Sequence, residues 1–256
     1  MNNIVLKNGR KVPLIGFGTW KLNGQQAVSA VHTALDLGYR HIDTAAMYGN
    51  EHEVGKAIGK ALVDRDELFI TSKVWPDSFH RKDFIHSVEN SLKALKTDYI
   101  DLILLHWPSS DISFHEPLDA LGNLIAEGKV LTGGVSNFDL YALQAALSYA
   151  PEVISLNQIK MAYPSIPDDV IRVAHDNAVA ITAYSPLNAG SMSSDPLVQR
   201  LAVEYAKTPA QITLRWLTQQ NIIAIPKSSS FHRMNENLSS LDFTLSDEAI
   251  SALGII

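Results

Sequence analysis

Apolar runs recur along this chain at a nearly constant interval, and that interval restricts the fold more than any other feature. They close at Asp43, Lys73, His106, Val135 and Gln158, separated by 30, 33, 29 and 23 residues. Such steps are the length of one strand, one helix and two short loops. The runs are continuous rather than alternating, as in strands buried on both faces of a parallel sheet.

Between the runs the apolar positions take helical spacing. Ala27, Val31, Ala34 and Leu35 form one such face, the stretch from Val54 to Leu62 a second, and Phe84, Val88, Leu92 and Leu95 a third. Helices are further predicted over 116–127, 139–149 and 167–176. A capping box of Thr208, Pro209 and Gln211 opens another that runs through Gln219. With a first strand at Ile15–Thr19 and later strands at Val179–Tyr184 and Ile222–Ile225, eight strand–helix units are counted. We therefore expect a (β/α)8 barrel in a single domain spanning residues 1–256.

Asn8-Gly9 between Ile4-Val5-Leu6 and Val12-Pro13-Leu14-Ile15 is a hairpin signal, read as a lid over one end of that barrel. A doubly wound dinucleotide sheet is tempting after Gly16-Phe17-Gly18. It fails because the third glycine of the fingerprint would fall on Lys21 and the equal spacing continues too long. His52-Glu53 is no zinc motif either, since Lys56 stands where the second histidine belongs, and no metal site is expected.

With 46% hydrophobic and 19% charged residues the chain can bury a large core. The net charge of -6 and the scattered 21 Lys and Arg give no basic tract for nucleic acid. Without cysteine there is no disulfide framework, thiolate metal site or cysteine nucleophile. No signal-peptide core opens the chain and no apolar run approaches membrane-spanning length. A soluble, cytoplasmic monomer is expected, with no membrane or nucleic-acid partner.

In such a barrel the active site lies at the C-terminal ends of the strands, where Asp43, Lys73 and His106 fall. Tyr48 follows Asp43 by five residues in a Gly/Asn turn. A phenol with a pKa near 10 is a poor proton donor at neutral pH unless a cation stands beside it, and Lys73 is the available cation. Singly, each residue has a plainer reading: Asp43 as a helix cap, Lys73 as a strand-end lysine, His106 as a core histidine. Their shared position at successive strand ends favours chemistry.

Over essentially the whole chain the residues resemble the aldo-keto reductases, in particular the compact bacterial members that include the 2,5-diketo-D-gluconate reductase-like group. The matching pieces are Gly16-Phe17-Gly18-Thr19-Trp20, Gly38-Tyr39-Arg40-His41-Ile42-Asp43-Thr44-Ala45, Tyr48-Gly49-Asn50-Glu51, Thr71-Ser72-Lys73-Val74-Trp75, Asp98-Tyr99-Ile100-Asp101-Leu102, His106-Trp107-Pro108, Gly134-Val135-Ser136-Asn137-Phe138 and Ile225-Pro226-Lys227-Ser228. The resemblance implies reduction of a small aldehyde or ketone by hydride from NADP(H). Tyr48 would be the proton donor, Lys73 would lower its pKa, Asp43 would anchor Lys73, and His106 would orient the carbonyl oxygen.

It further implies that Ser136, Asn137 and Gln158 hold the carboxamide of the cofactor and that Tyr184 stacks on its ring. Thr19, Trp20, Asp43, Ser185 and Leu187 complete those contacts. Trp20, Met47, Trp75 and Trp107 would wall the substrate pocket. After the last strand, Lys227, Ser228, Ser230 and Arg233 surround an expected helix N-terminus, a place where barrel enzymes hold phosphate. These two cations and two hydroxyls suit the 2′-phosphate of NADP(H), with Glu236 and Asn237 toward the adenine. Longer members carry a tail after the last helix, whereas this sequence ends at Gly254-Ile255-Ile256, so an open pocket mouth is expected. Two other functions keep the same barrel: a Schiff-base lyase using Lys73, which requires a neutral amine, and a redox-silent cofactor sensor.

Overall fold

The computed structural model describes residues 2–254. Ile255 and Ile256, on which the expectation of a missing tail rests, lie outside them. β1 (Asn3–Val5) and β2 (Lys11–Pro13) form the antiparallel hairpin. The eight strands that follow are all parallel and lie in chain order: β3 (Phe17–Gly18), β4 (His41–Asp43), β5 (Phe69–Val74), β6 (Leu102–Leu105), β7 (Gly133–Ser136), β8 (Ile154–Lys160), β9 (Ala180–Tyr184) and β10 (Ile223–Ile225). Bonds from Gly16 N to the Ala224 carbonyl (2.9 Å) and from Ala224 N to the Leu14 carbonyl (2.8 Å) join the last strand to the first. The sheet is a (β/α)8 barrel, as the spacing predicts.

Ten α-helices occur among the described residues. α1 (Gly24–Leu37), α2 (Glu51–Ile58), α3 (Arg81–Leu95), α4 (His115–Ala126), α5 (Leu140–Tyr149) and α6 (Asp168–Asp176) fill successive crossovers. α7 (Pro196–Glu204) and α8 (Pro209–Gln219) precede β10, and α9 (Phe231–Leu238) and α10 (Asp247–Leu253) follow it. Outward-facing Ile42, Ile70, Ile103 and Val135 pack with Val31, Val54, Phe84 and Leu121 of the helices. Inside, Phe69, Leu102, Leu104, Leu156 and Ile223 close on Leu6, Val12 and Leu14 from the hairpin. The hairpin thus plugs the N-terminal mouth, and the opposite mouth stays open.

Several boundaries differ from the sequence expectation. β5 runs one residue past Lys73, β6 stops one short of His106, and β8 continues two past Gln158. β7 runs one residue past Val135, and upstream of it Val130 makes only an isolated bridge with Ile100. α2 stops at Ile58 rather than Leu62: Gly59 is its C-cap, and three-residue turns finish the segment. α7 is unforeseen, although Asp195-Pro196 starts it in the expected way, with Asp195 Oδ1 accepting from Leu197 N and Val198 N at 2.9 and 3.0 Å. The Thr208–Gln211 capping box forms as predicted.

Gly55 sets how closely α2 approaches α3. A Cβ there would stand 2.3 Å from the Ala94 carbonyl oxygen and 2.8 Å from the Leu95 backbone, atoms that no rotamer change can move. Gly55→Ala gains about 1 kcal/mol of helix propensity, but overpacking against backbone costs roughly 1–3 kcal/mol or more. The variant should be less stable than the parent in urea denaturation, and a higher midpoint would show that the helices can separate freely.

Candidate active site

Charge at the open mouth is arranged around one ammonium. Lys73 is 1% exposed and donates to Asp43 Oδ1 at 2.6 Å, to the Thr44 carbonyl at 2.9 Å and to Tyr48 Oη at 3.3 Å. A lysine ammonium has three protons, and all three are used. The other Asp43 oxygen accepts from Gln158 Nε2 at 2.7 Å, so β4, β5 and β8 meet at one carboxylate. Burial alone would depress the Lys73 pKa, but Asp43 first and Tyr48 second hold it above the ordinary lysine value. Lys73 is a fixed cation, which removes the neutral amine that a Schiff-base nucleophile needs.

An ammonium can only donate, so Tyr48 Oη must accept from it, which leaves the phenolic proton to point elsewhere. The phenol sits on the single turn Ala46–Tyr48 just after β4. Burial is the largest influence on it and pushes its pKa above the ordinary tyrosine value. Lys73 pulls downward and Asp43 upward. Lys73 therefore acts in the direction expected from the sequence, but desolvation, which the sequence does not show, outweighs it.

His106 stands beside Tyr48 with ring centroids 5.7 Å apart and beside Trp75 at 5.0 Å, both edge to face. Burial, helped by the Lys73 charge, lowers its pKa to about 3, so the imidazole is neutral. His106 Nδ1 is buried and has no hydrogen-bond partner among the described residues. The backbone carbonyl of His106 accepts from Asn137 Nδ2 at 2.9 Å, and Tyr184 Oη donates to Asn137 Oδ1 at 2.9 Å. Ser136 Oγ donates to the Gln158 carbonyl at 2.9 Å. The polar residues of four strand ends are thereby connected.

A cavity of about 500 Å³ opens over this network, lined by Asp43, Tyr48, His106, Ser136, Asn137, Gln158, Tyr184, Ser185 and Lys227 among its polar residues. Trp20, Met47, Trp75 and Trp107 form its apolar wall, three of them 43% exposed, and Trp20 lies 4.7 Å from the Tyr48 ring. Large apolar side chains held open to solvent around a pocket are what a binding site shows. The fourth tryptophan, Trp216, is fully buried in the core.

Lys73 does not itself line the cavity, whereas Asp43 and Tyr48, to which it donates, do. Seven expected cofactor residues do not line the cavity: Thr19, Leu187, Ser228, Ser230, Arg233, Glu236 and Asn237. Thr19 is buried and its hydroxyl donates to the Asp43 carbonyl at 3.0 Å, so it braces β4 from behind. Leu187 packs on the core. Ser230 caps α9, and neither Lys227 nor Arg233, both exposed, forms an ion pair among the described residues. Glu236 lies 3.9 Å from His232, and Asn237 is 3% exposed on the inner face of α9.

Gly18 and Ile225, which the sequence reading did not single out, also line the cavity. Gly18 carries no side chain where a Cβ would stand 2.9 Å from the Ile225 carbonyl and 3.7 Å from Lys227, which keeps the floor low between β3 and β10. Asn50 was visible only as part of a motif. It occupies the N-cap position of α2 but makes no cap bond. Its amide instead donates to the Thr19 and Leu22 carbonyls at 2.9 and 2.8 Å and accepts from Thr44, fixing the Trp20 loop against the Tyr48 loop.

Two buried histidines set an acid limit on stability, His106 with a pKa of about 3 and His41 of about 4. In the unfolded chain both titrate near 6.5, so the unfolded state binds more protons below that value. Stability should be fully present above pH 6.5 and fall as pH drops toward 4. The Cε1–H resonance of His106 should stay in its neutral position from pH 8 to 5, and a midpoint inside that range would contradict the burial argument.

The Aldo/keto reductase family model matches residues 14–256. An aldo/keto reductase of Synechocystis sp. is 35% identical over 290 residues, covering 100% of this chain and 89% of that protein. An uncharacterized oxidoreductase of Bacillus subtilis is 38% identical over 253 residues, covering 97% and 90%. Among solved structures, a protein provisionally named 2,5-diketo-D-gluconic acid reductase B superposes with a TM-score of 0.95 at 38% identity, covering 99% of this chain and 91% of that one. The barrel, the buried Asp43–Lys73 pair with Tyr48 and His106 at its mouth, and these likenesses together show that the chain belongs to the aldo/keto reductase family of oxidoreductases, whose reaction is nicotinamide-dependent carbonyl reduction.

Proposed function

We propose that the protein reduces aldehydes or ketones to alcohols with NADPH, using Tyr48 as the proton donor. The observation that carries this reading is the ammonium of Lys73 donating to Tyr48 Oη, which turns the phenolic proton away from it and leaves that proton free for the cavity. Bound nicotinamide supplies a hydride to the carbonyl carbon. As the C=O π pair moves to oxygen, the growing alkoxide takes the Tyr48 proton, and the phenolate left behind is stabilised by Lys73. His106, neutral at working pH, donates a hydrogen bond to the same oxygen and places it against Tyr48. Solvent then returns the proton to Tyr48.

Tyr48 is protonated at neutral pH, as any phenol with a pKa at or above the ordinary tyrosine value is, and this is the state a reductase needs. Asp43 keeps Lys73 charged and in place, and Gln158 keeps Asp43 in place. The four apolar residues at the mouth exclude water from the reacting atoms and bury the body of the substrate. Ser136, Asn137, Gln158 and Tyr184, grouped on one side of the cavity, fit the carboxamide and ring of nicotinamide.

The preference for NADPH rests on the end of α9. Ser230 caps that helix, no acidic residue stands in its first turn, and Lys227 and Arg233, unpaired among the described residues, offer positive charge beside it. A 2′-phosphate would meet two cations and free backbone N–H groups, whereas a ribose 2′-hydroxyl finds no carboxylate.

Tyr48→Phe should lower single-turnover carbonyl reduction by about 10²- to 10⁴-fold while NADPH still quenches tryptophan fluorescence with near-parental affinity. Retention of more than roughly a tenth of the parental rate would remove Tyr48 as the acid. Absence of NADPH oxidation by the parent chain with every reactive aldehyde would instead favour a sensor.

A hydrogen bond to a charged group contributes roughly 1.5–3 kcal/mol, so Arg233→Ala should weaken NADPH binding by about ten- to a hundredfold and leave NADH nearly unchanged. Equal losses for the two cofactors in a fluorescence titration would refute the 2′-phosphate assignment.

A further inference from the structure

Three residues beyond Tyr48 a second carboxyl group is buried, on the outer side of the barrel wall, where the proton transfer does not use it. Glu51, the first residue of α2, is 8% exposed. Its Oε1 accepts from Ser72 Oγ at 2.5 Å and its Oε2 from Ser91 Oγ at 3.0 Å. Ser72 immediately precedes Lys73 on β5, and strand alternation turns it outward where Lys73 turns inward. Ser91 is a buried residue of α3. One side chain therefore ties the segment carrying Tyr48 to the strand carrying Lys73 and to the helix that follows it.

Burying a carboxyl costs free energy unless its oxygens are hydrogen-bonded, and here each oxygen has one hydroxyl. Burial raises the Glu51 pKa, while Ser72, Ser91 and the charge of Lys73 oppose the rise. The contact that depends on this tie has little slack. Lys73 to Tyr48 is, at 3.3 Å, the longest of the three ammonium bonds, and a few tenths of an ångström more would end it as a hydrogen bond.

We infer that Glu51 is a positioning residue for carbonyl reduction: by fastening the start of α2 to Ser72 and Ser91 it sets the reach of Tyr48 to Lys73. This rests on the reading of Tyr48 as proton donor. The charged groups that act on Tyr48 are Lys73 and Asp43, with neutral His106 beside it and the phenol of Tyr184 across the same cavity, close enough to feel its charge. Loosening the tie moves Lys73 away and leaves Tyr48 less acidic. Deleting the Glu51 charge with geometry intact acts the other way, because a negative charge near Lys73 has been lost.

The two effects have opposite signs in the alkaline limb of the reduction rate, where Tyr48 loses its proton. Glu51→Ala should lower single-turnover reduction at neutral pH by roughly ten- to a hundredfold, as expected of a displaced catalytic group. It should also shift the alkaline limb to higher pH and leave the NADPH dissociation constant within about twofold. Glu51→Gln should recover most of the rate, since an amide can meet both serine hydroxyls. Ser91→Ala, which removes one arm only, should give a smaller loss with the same direction of shift, and it carries the test if Glu51→Ala does not fold.

A parental rate and limb in Glu51→Ala or, should that variant fail to fold, in Ser91→Ala would overturn the inference. So would equal losses in Glu51→Ala and Glu51→Gln with the limb moved to lower pH. Tyr48→Phe measured alongside separates the two levels. If it is inactive while Glu51→Ala is unaffected, only the Glu51 inference falls, and if it is fully active, the assignment of Tyr48 falls and takes the Glu51 inference with it.

Discussion

The structure depends on how a lysine and an aspartate are kept charged inside a barrel. Removing both ions from water costs several kcal/mol each, and the pair survives only if every remaining donor and acceptor is satisfied. Here the three ammonium protons go to Asp43, the Thr44 carbonyl and Tyr48, and the second aspartate oxygen takes the Gln158 amide. No single strand could supply that set. Three strands and the turn after β4 must be held in register for it to exist, so the ion pair and the closed sheet require one another.

The division of the barrel into two ends follows from what fills it. Toward the N-terminal mouth the interior is apolar, and Leu6, Val12 and Leu14 of the hairpin seal it against water. Lys7 adds a bond to the Pro151 carbonyl, and Asn8 bonds Thr132 at 2.9 Å, so the hairpin is fastened to the far wall. Toward the other mouth the interior residues become Asp43, Lys73, His106, Ser136 and Gln158. Polar groups collect there because loops, not helices, follow each strand and leave room for a ligand.

Desolvation then decides how each group behaves. It holds His106 neutral, pushes the Tyr48 pKa up, and works against the charge on Lys73, which Asp43 first and Tyr48 second sustain. A neutral imidazole, a phenol and a fixed cation thus lie side by side as a result of one cause acting on different chemistry. The apolar wall of Trp20, Met47, Trp75 and Trp107 strengthens that cause, and Asn50 couples the Trp20 loop to the turn that carries Tyr48.

Periodicity is a local property, and it was enough to determine the barrel. Equal spacing between Asp43, Lys73 and His106, and continuous apolar runs, specified parallel strands, their order and the end at which ionisable residues gather. The Asn8-Gly9 turn and the Thr208 capping box were equally plain, because each is settled by adjacent residues. The α7 helix was missed although Asp195-Pro196 announced it, since a second helix in one crossover breaks the pattern of single units. What the sequence could not determine is how burial divides among groups far apart in the chain: that desolvation of Tyr48 outweighs the pull of Lys73, that Gln158 gives its amide to Asp43, that Asn50 braces neighbouring loops, and that Glu51 ties α2 to β5 and α3. Those outcomes depend on desolvation and on partners 21 to 115 residues distant, and both exist only once the sheet has closed.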